Sequence, residues 1–270
     1  MNKLLRIELE RALKNKIFYI CLIIGLICVG VDVYTVAYRT RKAYDMYLNL
    51  SIYQVPGVYC KWMVTNGSSM YKLLHLIFPL LISAPYTYTM YSDIKSGYID
   101  NIVSRIDKKC YYGAKLITQF VTGFLTVFIV LATSFIATAA ILPFEHPTRA
   151  SFIYGVHYDI AIGRLFYTKP FLSCIIYIFL EALIFGIIGC IGFVFAYILT
   201  NGVMVMLSPF IVYYAEFIIK SSLGKPDMLR MTRIGMLKHI YIKSFLVEIS
   251  IIIIGIGISY FVRSRKKDVF

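Results

Sequence analysis

The chain has 270 residues, of which 59% are hydrophobic and 16% are charged, and its formal net charge is +14. Soluble domains usually contain about 45–50% apolar and about 25% charged residues, so this composition excludes an ordinary water-soluble fold. The basic residues lie between apolar stretches, as at the flanks of membrane spans, and form no soluble basic face of the kind that binds nucleic acid. We therefore predict one membrane domain over residues 1–270.

The first predicted element is an amphipathic helix over residues 3–16, lying on the inner leaflet. Its apolar stripe consists of Leu5, Leu9, Ala12 and Leu13, and its remaining face carries Lys3, Arg6, Arg11 and Lys14. Glu10 is spaced to form i,i+4 ion pairs with Arg6 and with Lys14. A simpler interpretation of the same helix is a basic anchor that fixes topology.

Six apolar stretches follow, and each is close to the roughly 20 residues that a helix needs to cross about 30 Å of hydrocarbon. They are residues 17–38, 73–91, 116–142, 171–199, 203–219 and 245–262. The predicted fold is therefore an all-α integral membrane protein with six transmembrane helices. The density of Lys and Arg favours cytoplasmic termini. The composition rich in Ile, Lys and Tyr is typical of an AT-rich bacterial genome, so we expect a bacterial cell membrane.

Proline and glycine predict local features of these spans. Pro79 and Pro85 are expected to bend the second span, and Pro209 the fifth. Gly186, Gly189 and Gly192 are suited to close helix packing in the fourth span. The turn Thr200-Asn201-Gly202 predicts a tight hairpin between the fourth and fifth spans. The 220–243 segment is expected at the outer face, in a role that the sequence leaves open.

The gap between the second and third spans is the most informative segment. Apolar residues recur at helical spacing from Ile94 to Ile106, with charged residues mostly off that face, which predicts a short amphipathic helix over 93–107. Such a helix either seats its apolar ridge in a groove of a partner protein or lies on the membrane surface. Periodicity alone does not choose between these two.

The pattern in this gap resembles that of bacterial ABC-2 type transporter permeases. It combines Asp93, Gly97 four positions later, Arg105, further basic residues and a Tyr112-x-x-Lys115 entry into the next span. The resemblance also covers the amphipathic N-terminal helix, the six spans and the tight turn. It implies that 93–107 is a cytoplasmic coupling helix, with contacts to an ATP-binding subunit from Asp93, Gly97, Ile102, Arg105, Lys109 and Lys115.

The resemblance further implies a separate ATPase and a second permease copy or paralogue as partners. No G-x-x-x-x-G-K-[ST] phosphate loop and no metal-site spacing occur in the sequence, so we expect no cofactor in this chain, with ATP and Mg bound by the partner. The implied cargo is a peptide antibiotic, a drug or another amphiphile. Direction and homodimer or heterodimer assembly stay open.

Carboxylates inside apolar spans suggest function because each costs about 2.5–3.5 kcal/mol or more near the membrane centre. The candidates are Glu181, near mid-membrane, and Asp32, Glu216 and Glu248, nearer the outer ends. They are expected to line a path for a cationic or amphipathic substrate. The alternatives are a buried carboxyl hydrogen-bonded to a neighbouring helix for Glu181, and snorkelling or pairing with Arg39 or Lys220 for the others.

Two other classes of function remain as alternatives. One is an intramembrane enzyme such as a membrane-embedded protease, which needs a catalytic constellation on facing helices; the sequence gives Glu181 no evident histidine partner at its depth. The other is a membrane sensor or substrate-binding component that works without an ATPase. Association with a phosphate-loop ATPase distinguishes the exporter from both.

Overall fold

A computed structural model describes residues 2–44, 56–148, 154, 156, 163–222 and 239–265, and the regular structure of these residues is helical throughout. In chain order the elements are α1 (Asn2–Leu13), α2 (Lys16–Asp32), a π-helical segment (Val33–Tyr38), α3 (Arg39–Lys42), α4 (Val58–Lys61), α5 (Met63–Asn66), α6 (Ser69–Ser83), α7 (Thr87–Lys95), α8 (Tyr98–Val103), α9 (Lys108–Ala139), α10 (Gly163–Thr168), α11 (Pro170–Gly189), α12 (Ile191–Phe195), α13 (Gly202–Ser222) and α14 (His239–Arg265).

Four segments in the described part of the chain are long and apolar enough to cross a membrane. These spans one to four are Lys16–Lys42, Ser69–Lys95, Lys108–Ala139 and Pro170–Phe195. They confirm the expectation of an all-helical membrane protein. The expected fifth and sixth spans coincide with shorter apolar helical stretches, Gly202–Ala215 and Ile249–Val262. Six crossings therefore stay a prediction.

Span two is interrupted where the sequence places a proline. Helix α6 ends at Ser83, the residues from Ala84 to Tyr86 form a turn, and α7 begins at Thr87. Pro85 has no backbone N–H to give to a continuing helix, which explains the break. The side-chain amide of Asn15 donates to the Pro85 carbonyl at 2.7 Å and so satisfies a backbone acceptor at this break.

The expected single helix over 93–107 is wrong in detail. Helix α7 runs to Lys95, Gly97 adopts a left-handed conformation with φ of 67°, and the short α8 follows. Left-handed φ is favourable for glycine and ends helices readily. Asp107 then caps α9 by accepting the Lys109 amide at 3.2 Å. The segment is thus a helix end, a turn and one short helix.

The predicted close packing of the fourth span is confirmed. A Cβ at Gly186 would lie 2.9 Å from the Phe120 ring of α9, and one at Gly189 would lie 3.1 Å from the Gln119 amide nitrogen. Gly192 lies against Thr87, so tightly that a Cβ could not be placed without movement. Spans three and four therefore approach more closely than larger residues would allow.

The predicted hairpin after span four has a slightly longer connection than expected. Helix α12 ends at Phe195 and α13 begins at Gly202, where the Asn201 side chain accepts the Val203 amide at 2.9 Å. Pro209 lies inside α13 without ending it. The 220–243 segment lies mostly outside the described residues, since 223–238 are not among them.

Candidate functional site: two buried carboxylate clusters

Helix α1 packs against α9, and the face that it buries is polar at its centre. Leu4, Glu8 and Ala12 are the buried positions, whereas the predicted stripe residues Leu5 and Leu9 are only half-buried. The buried face is therefore rotated from the predicted one. The reason is that α1 packs on α9 through the charged side chain of Glu8, and a pattern of apolar residues does not predict a charged residue on the buried face.

The predicted ion pairs on the outer face of α1 are confirmed. Glu10 lies 3.1 Å from the Arg6 guanidinium and 3.3 Å from the Lys14 ammonium. Hydrogen bonding to Arg6, and then to Lys14, lowers the pKa of the Glu10 carboxyl. All three side chains are largely exposed, so these pairs add little to stability.

The first buried carboxylate cluster, called the α1 cluster, joins α1, span two and the start of span three. Its members are Glu8, Arg11, Tyr86, Asp93, Tyr111 and Lys115. Asp93 accepts two hydrogen bonds from Arg11, at 3.0 and 3.1 Å, and one from Lys115 at 2.6 Å. The Tyr111 hydroxyl donates to the same carboxylate at 3.0 Å. The Asp93 carboxylate thus accepts four hydrogen bonds, and neither of its oxygens lacks a donor.

Glu8 forms the other half of this cluster. Its carboxylate lies 3.1 Å from the Lys115 ammonium and 4.0 Å from Arg11, and it accepts a hydrogen bond from the Tyr86 hydroxyl. The Lys115 ammonium also lies 5.1 Å from the centre of the Tyr86 ring, within cation–π range. Two carboxylates are therefore balanced by two permanent cations, and this balance makes the burial tolerable.

The structure brings together only two of the residues expected to contact an ATPase. Asp93 and Lys115 are buried in the α1 cluster, and Gly97 lies in the turn between α7 and α8. Ile102 of α8 is half-buried and packs on the apolar residues beside the α1 cluster. Arg105 and Lys109 are exposed. Asp93 and Lys115 therefore hold the end of α7 against α9 on the buried side, and Arg105 and Lys109 lie on the exposed surface.

The second cluster, called the Glu181 cluster, lies between spans two and four and consists of Tyr71, His75, Tyr177 and Glu181. The Glu181 Oε1 atom is 2.8 Å from His75 Nε2, and both carboxylate oxygens are 3.3 Å from the Tyr71 hydroxyl. The Tyr71 and Tyr177 hydroxyls are 2.6 Å apart. Glu181 is completely buried. It is thus a buried carboxyl hydrogen-bonded to a neighbouring helix, with a histidine beside it.

Aromatic residues enclose the Glu181 cluster. Trp62, just before α5, packs edge-on against Tyr177 with ring centres 6.1 Å apart and donates from Nε1 to the Ser134 hydroxyl at 2.9 Å. On the other side, the Phe185 ring lies 5.7 Å from the His75 ring and 5.0 Å from that of Phe78. These rings exclude water from the carboxylate and lower the local dielectric.

Asp32 is buried one helix away and does not pair with Arg39. Its carboxyl group interacts with the Ser68 hydroxyl, and its Oδ1 atom has no hydrogen-bond partner among the described residues. Ser68 also accepts the Tyr71 amide at 3.1 Å, which connects Asp32 to the Glu181 cluster through the first turn of α6. Glu216 and Glu248 lie on α13 and α14, but their side chains fall outside what the structure describes.

Several residues of the two clusters were not predicted from the sequence. The inference that Glu181 lacks a histidine partner is wrong, because His75 reaches it from span two. A usable signal was present: Tyr71 precedes His75 by four residues, and Tyr177 precedes Glu181 by four, so each pair shares one helix face. Glu8 carried a similar signal, as a carboxylate among the apolar positions of α1.

The described residues contain no group of three or more His, Cys, Asp or Glu side chains arranged to hold a metal ion. Comparisons with protein-family models, with curated proteins and with solved structures found no match to this chain.

Proposed function

We propose that this chain is the membrane-spanning subunit of an ATP-driven bacterial exporter, similar to the ABC-2 type permeases. The observation that carries the proposal is the α1 cluster, which ties α1 and the ends of spans two and three to the turn at Gly97. A force applied to that turn reaches three elements at once. The cargo is a peptide antibiotic, a drug or another amphiphile, and ATP and Mg are bound by a partner subunit.

The proposed docking surface is the exposed side of the turn and of α8. Tyr98 and Ile106 are exposed apolar residues there, and Lys95 and Arg105 add exposed positive charge. Apolar residues ringed by charge are typical of surfaces that dock a partner. Asp93 and Lys115 contribute from inside, by holding the turn against α1 and α9.

In the proposed cycle, the end of the bundle that the α1 cluster holds together acts as a lever. Closure of two ATP-binding subunits pushes α8, and α7 moves with α1 and α9 because breaking their buried ion pairs is costly. The break at Ala84–Tyr86 lets α7 move relative to α6. Spans two and four then separate, and Glu181 and Asp32, which are sealed in this conformation, are exposed to cargo. Glu216 and Glu248 complete the proposed path.

The proposal requires the α1 end of the bundle, both termini and α8 to face the cytoplasm, with a second permease copy or paralogue beside this chain. A photo-crosslinking residue at Ile106 should capture an ATPase with a phosphate loop when the chain is expressed in its native cell. The same crosslinker at Phe144, which is exposed at the opposite end of span three, is the matched control. Labelling of a cysteine at 106 from outside intact cells would overturn the orientation.

The coupling residues offer a second test. Gly97→Val forces a β-branched side chain into a left-handed backbone, and Arg105→Glu reverses a surface charge at the proposed interface. Both variants should insert into the membrane normally and lose ATPase association or transport. Normal association and transport in both would contradict the docking assignment.

A second candidate function is favoured by the distance of 2.8 Å between His75 and Glu181. A carboxylate and a histidine in contact inside a water-poor site are a common acid–base arrangement in enzymes. An intramembrane hydrolase using this pair would act without any ATPase. Turnover of a membrane-embedded peptide by the purified chain alone, abolished by His75→Gln, would favour this candidate over the exporter.

A further inference from the structure

The Glu181 cluster differs from the α1 cluster in one chemical respect. Among the ion pairs of the described residues, Glu181 faces His75 alone, whereas Glu8 and Asp93 face arginine and lysine. A buried carboxylate without a compensating positive charge is strongly unfavourable in a medium of low dielectric constant. Among the groups that the structure describes around Glu181, the compensating charge is a proton, carried either by the imidazole or by the carboxyl group.

The geometry suits a proton that two groups share. His75 Nε2 and Glu181 Oε1 are 2.8 Å apart, which is hydrogen-bonding distance for nitrogen and oxygen. Tyr71 can donate to either carboxylate oxygen, and its own oxygen lies 2.6 Å from that of Tyr177. The two hydroxyls can therefore turn to stabilise the carboxylate when the proton leaves.

Access also favours a proton over a larger cation in this conformation. Glu181 and Tyr71 have no exposed surface, and Trp62 and Phe185 enclose them. The His75 side chain keeps 13% of its surface exposed. The Nε2 atom itself is buried, so a proton reaches the pair through the exposed part of this ring, whereas an organic cation or hydrated metal ion would first require spans two and four to separate.

Among the side chains that the structure describes, few other ionisable groups face the pair from the elements packed around it. On its own two helices these are the hydroxyls of Tyr71 and Tyr177. From span one Asp32 reaches the first turn of α6 through Ser68, and from α13 the Tyr213 ring touches Phe185. Span three presents the neutral Ser134 hydroxyl to Trp62, and α14 presents apolar side chains such as Ile249 and Ile252.

We propose that the His75–Glu181 pair is a proton-binding site within the membrane domain. One proton passes from water to His75 Nε2 or on to the Glu181 carboxylate, with no other bond made or broken, and the pair becomes neutral overall. Release of that proton leaves a buried anion, which draws water between spans two and four and favours their separation. The site does not depend on the exporter assignment, since it needs no ATPase.

The test is infrared difference spectroscopy of the full chain in lipid nanodiscs, titrated between about pH 5 and pH 8, where histidine-containing sites change charge. We expect a pH-dependent carboxyl or carboxylate band that Glu181→Gln removes. The matched control, Glu10→Gln, changes an exposed carboxylate on α1 and should keep the band. A wild-type spectrum that Glu181→Gln leaves unaltered would overturn the proposal.

Tyr71→Phe tests the same assignment with both titrating groups in place, and so does not depend on Glu181→Gln accumulating as folded protein. Removing a donor to the charged carboxylate should move the midpoint of the titration upward by about one pH unit. Tyr88→Phe, at an exposed tyrosine of span two, should leave the midpoint in place. An unchanged midpoint in Tyr71→Phe would place the titrating group elsewhere.

Discussion

The α1 cluster and the Glu181 cluster deal with the same difficulty, a carboxylate buried in a membrane domain, in opposite ways. The first surrounds Asp93 and Glu8 with arginine, lysine and tyrosine donors. The second gives Glu181 a histidine and two tyrosines. The first cluster thus compensates its carboxylates with arginine and lysine, whereas the second relies on histidine, a side chain type that changes its charge near neutral pH. In the proposed mechanism, the α1 cluster moves as one rigid unit at the end of the bundle, and the Glu181 cluster changes its charge in the interior.

The largest expected effect comes from removing the cation that both carboxylates of the α1 cluster share. Lys115→Met keeps the length of the side chain but leaves Arg11 as the remaining cation beside Glu8 and Asp93. We expect a loss of about 3–5 kcal/mol in the free energy of unfolding, the usual consequence of breaking a buried ion pair. Chemical denaturation in detergent measures it.

The matched control for that substitution is Lys109→Met on the same helix, where the side chain is exposed. Its effect should stay within about 0.5 kcal/mol, as for most surface substitutions. If Lys115→Met also falls within that range, the α1 cluster contributes no more than a surface ion pair, and the contrast between the two clusters fails.

A smaller effect is expected at the contact between spans three and four, one turn from Glu181. Gly186→Ala places a methyl group 2.9 Å from the Phe120 ring and 3.1 Å from the Phe120 carbonyl oxygen. Overpacking of this kind costs about 1–3 kcal/mol. The displacement should disturb the Glu181 titration while the α1 cluster is unaffected. Gly30→Ala, where a Cβ meets nothing within 4 Å, is the control and should change neither stability nor titration.

Arg11→Ala should have a weaker effect than Lys115→Met, although both cations contact Asp93. The Arg11 side chain is 40% exposed, so water replaces part of what the guanidinium supplies, and Lys115 and Tyr111 remain on the carboxylate. We expect a loss of about 1 kcal/mol in unfolding free energy after allowing for solvent screening. A loss as large as that of Lys115→Met would show that neither water nor the remaining donors replace the guanidinium.

The smallest effect is expected for Glu10→Gln on the outer face of α1. Because Arg6 and Lys14 lower the pKa of Glu10, this carboxylate stabilises the fold above its unfolded pKa, and the contribution is lost as the pH falls through the folded pKa. At neutral pH and physiological salt the substitution should leave Tm unchanged, and only low salt should reveal a decrease. A salt-independent decrease in Tm would mean that Glu10 acts through more than these exposed pairs.

The sequence was sufficient for features set by local spacing. Arg6, Glu10 and Lys14 are spaced four residues apart, so their ion pairs follow from helix geometry. Gly186 and Gly189 lack a side chain, which predicts a close helix contact. Span positions follow from apolar length alone. These features need no knowledge of which helix lies beside which.

The partners of the buried carboxylates could not be predicted from spacing. Arg11 and Asp93 are 82 residues apart in the chain, and Tyr71 and Glu181 are 110 apart. Such contacts depend on how the helices pack, and a single sequence does not specify helix neighbours. The split of the expected 93–107 helix has another cause. A glycine such as Gly97 adopts helical and left-handed backbone about equally readily, and the spacing of apolar residues predicts a helix but not the left-handed residue that ends it.

The division of charges across the α1 interface has a consequence for the order in which the protein is assembled. Helix α1 contributes one acid and one base, Glu8 and Arg11, and the spans contribute one of each, Asp93 and Lys115. Each side is therefore neutral by itself. During synthesis α1 emerges long before Asp93 and Lys115, and its own acid and base, one turn apart, allow it to wait at the membrane surface. Because α1 precedes both residues in the chain, it docks only once the start of span three has emerged.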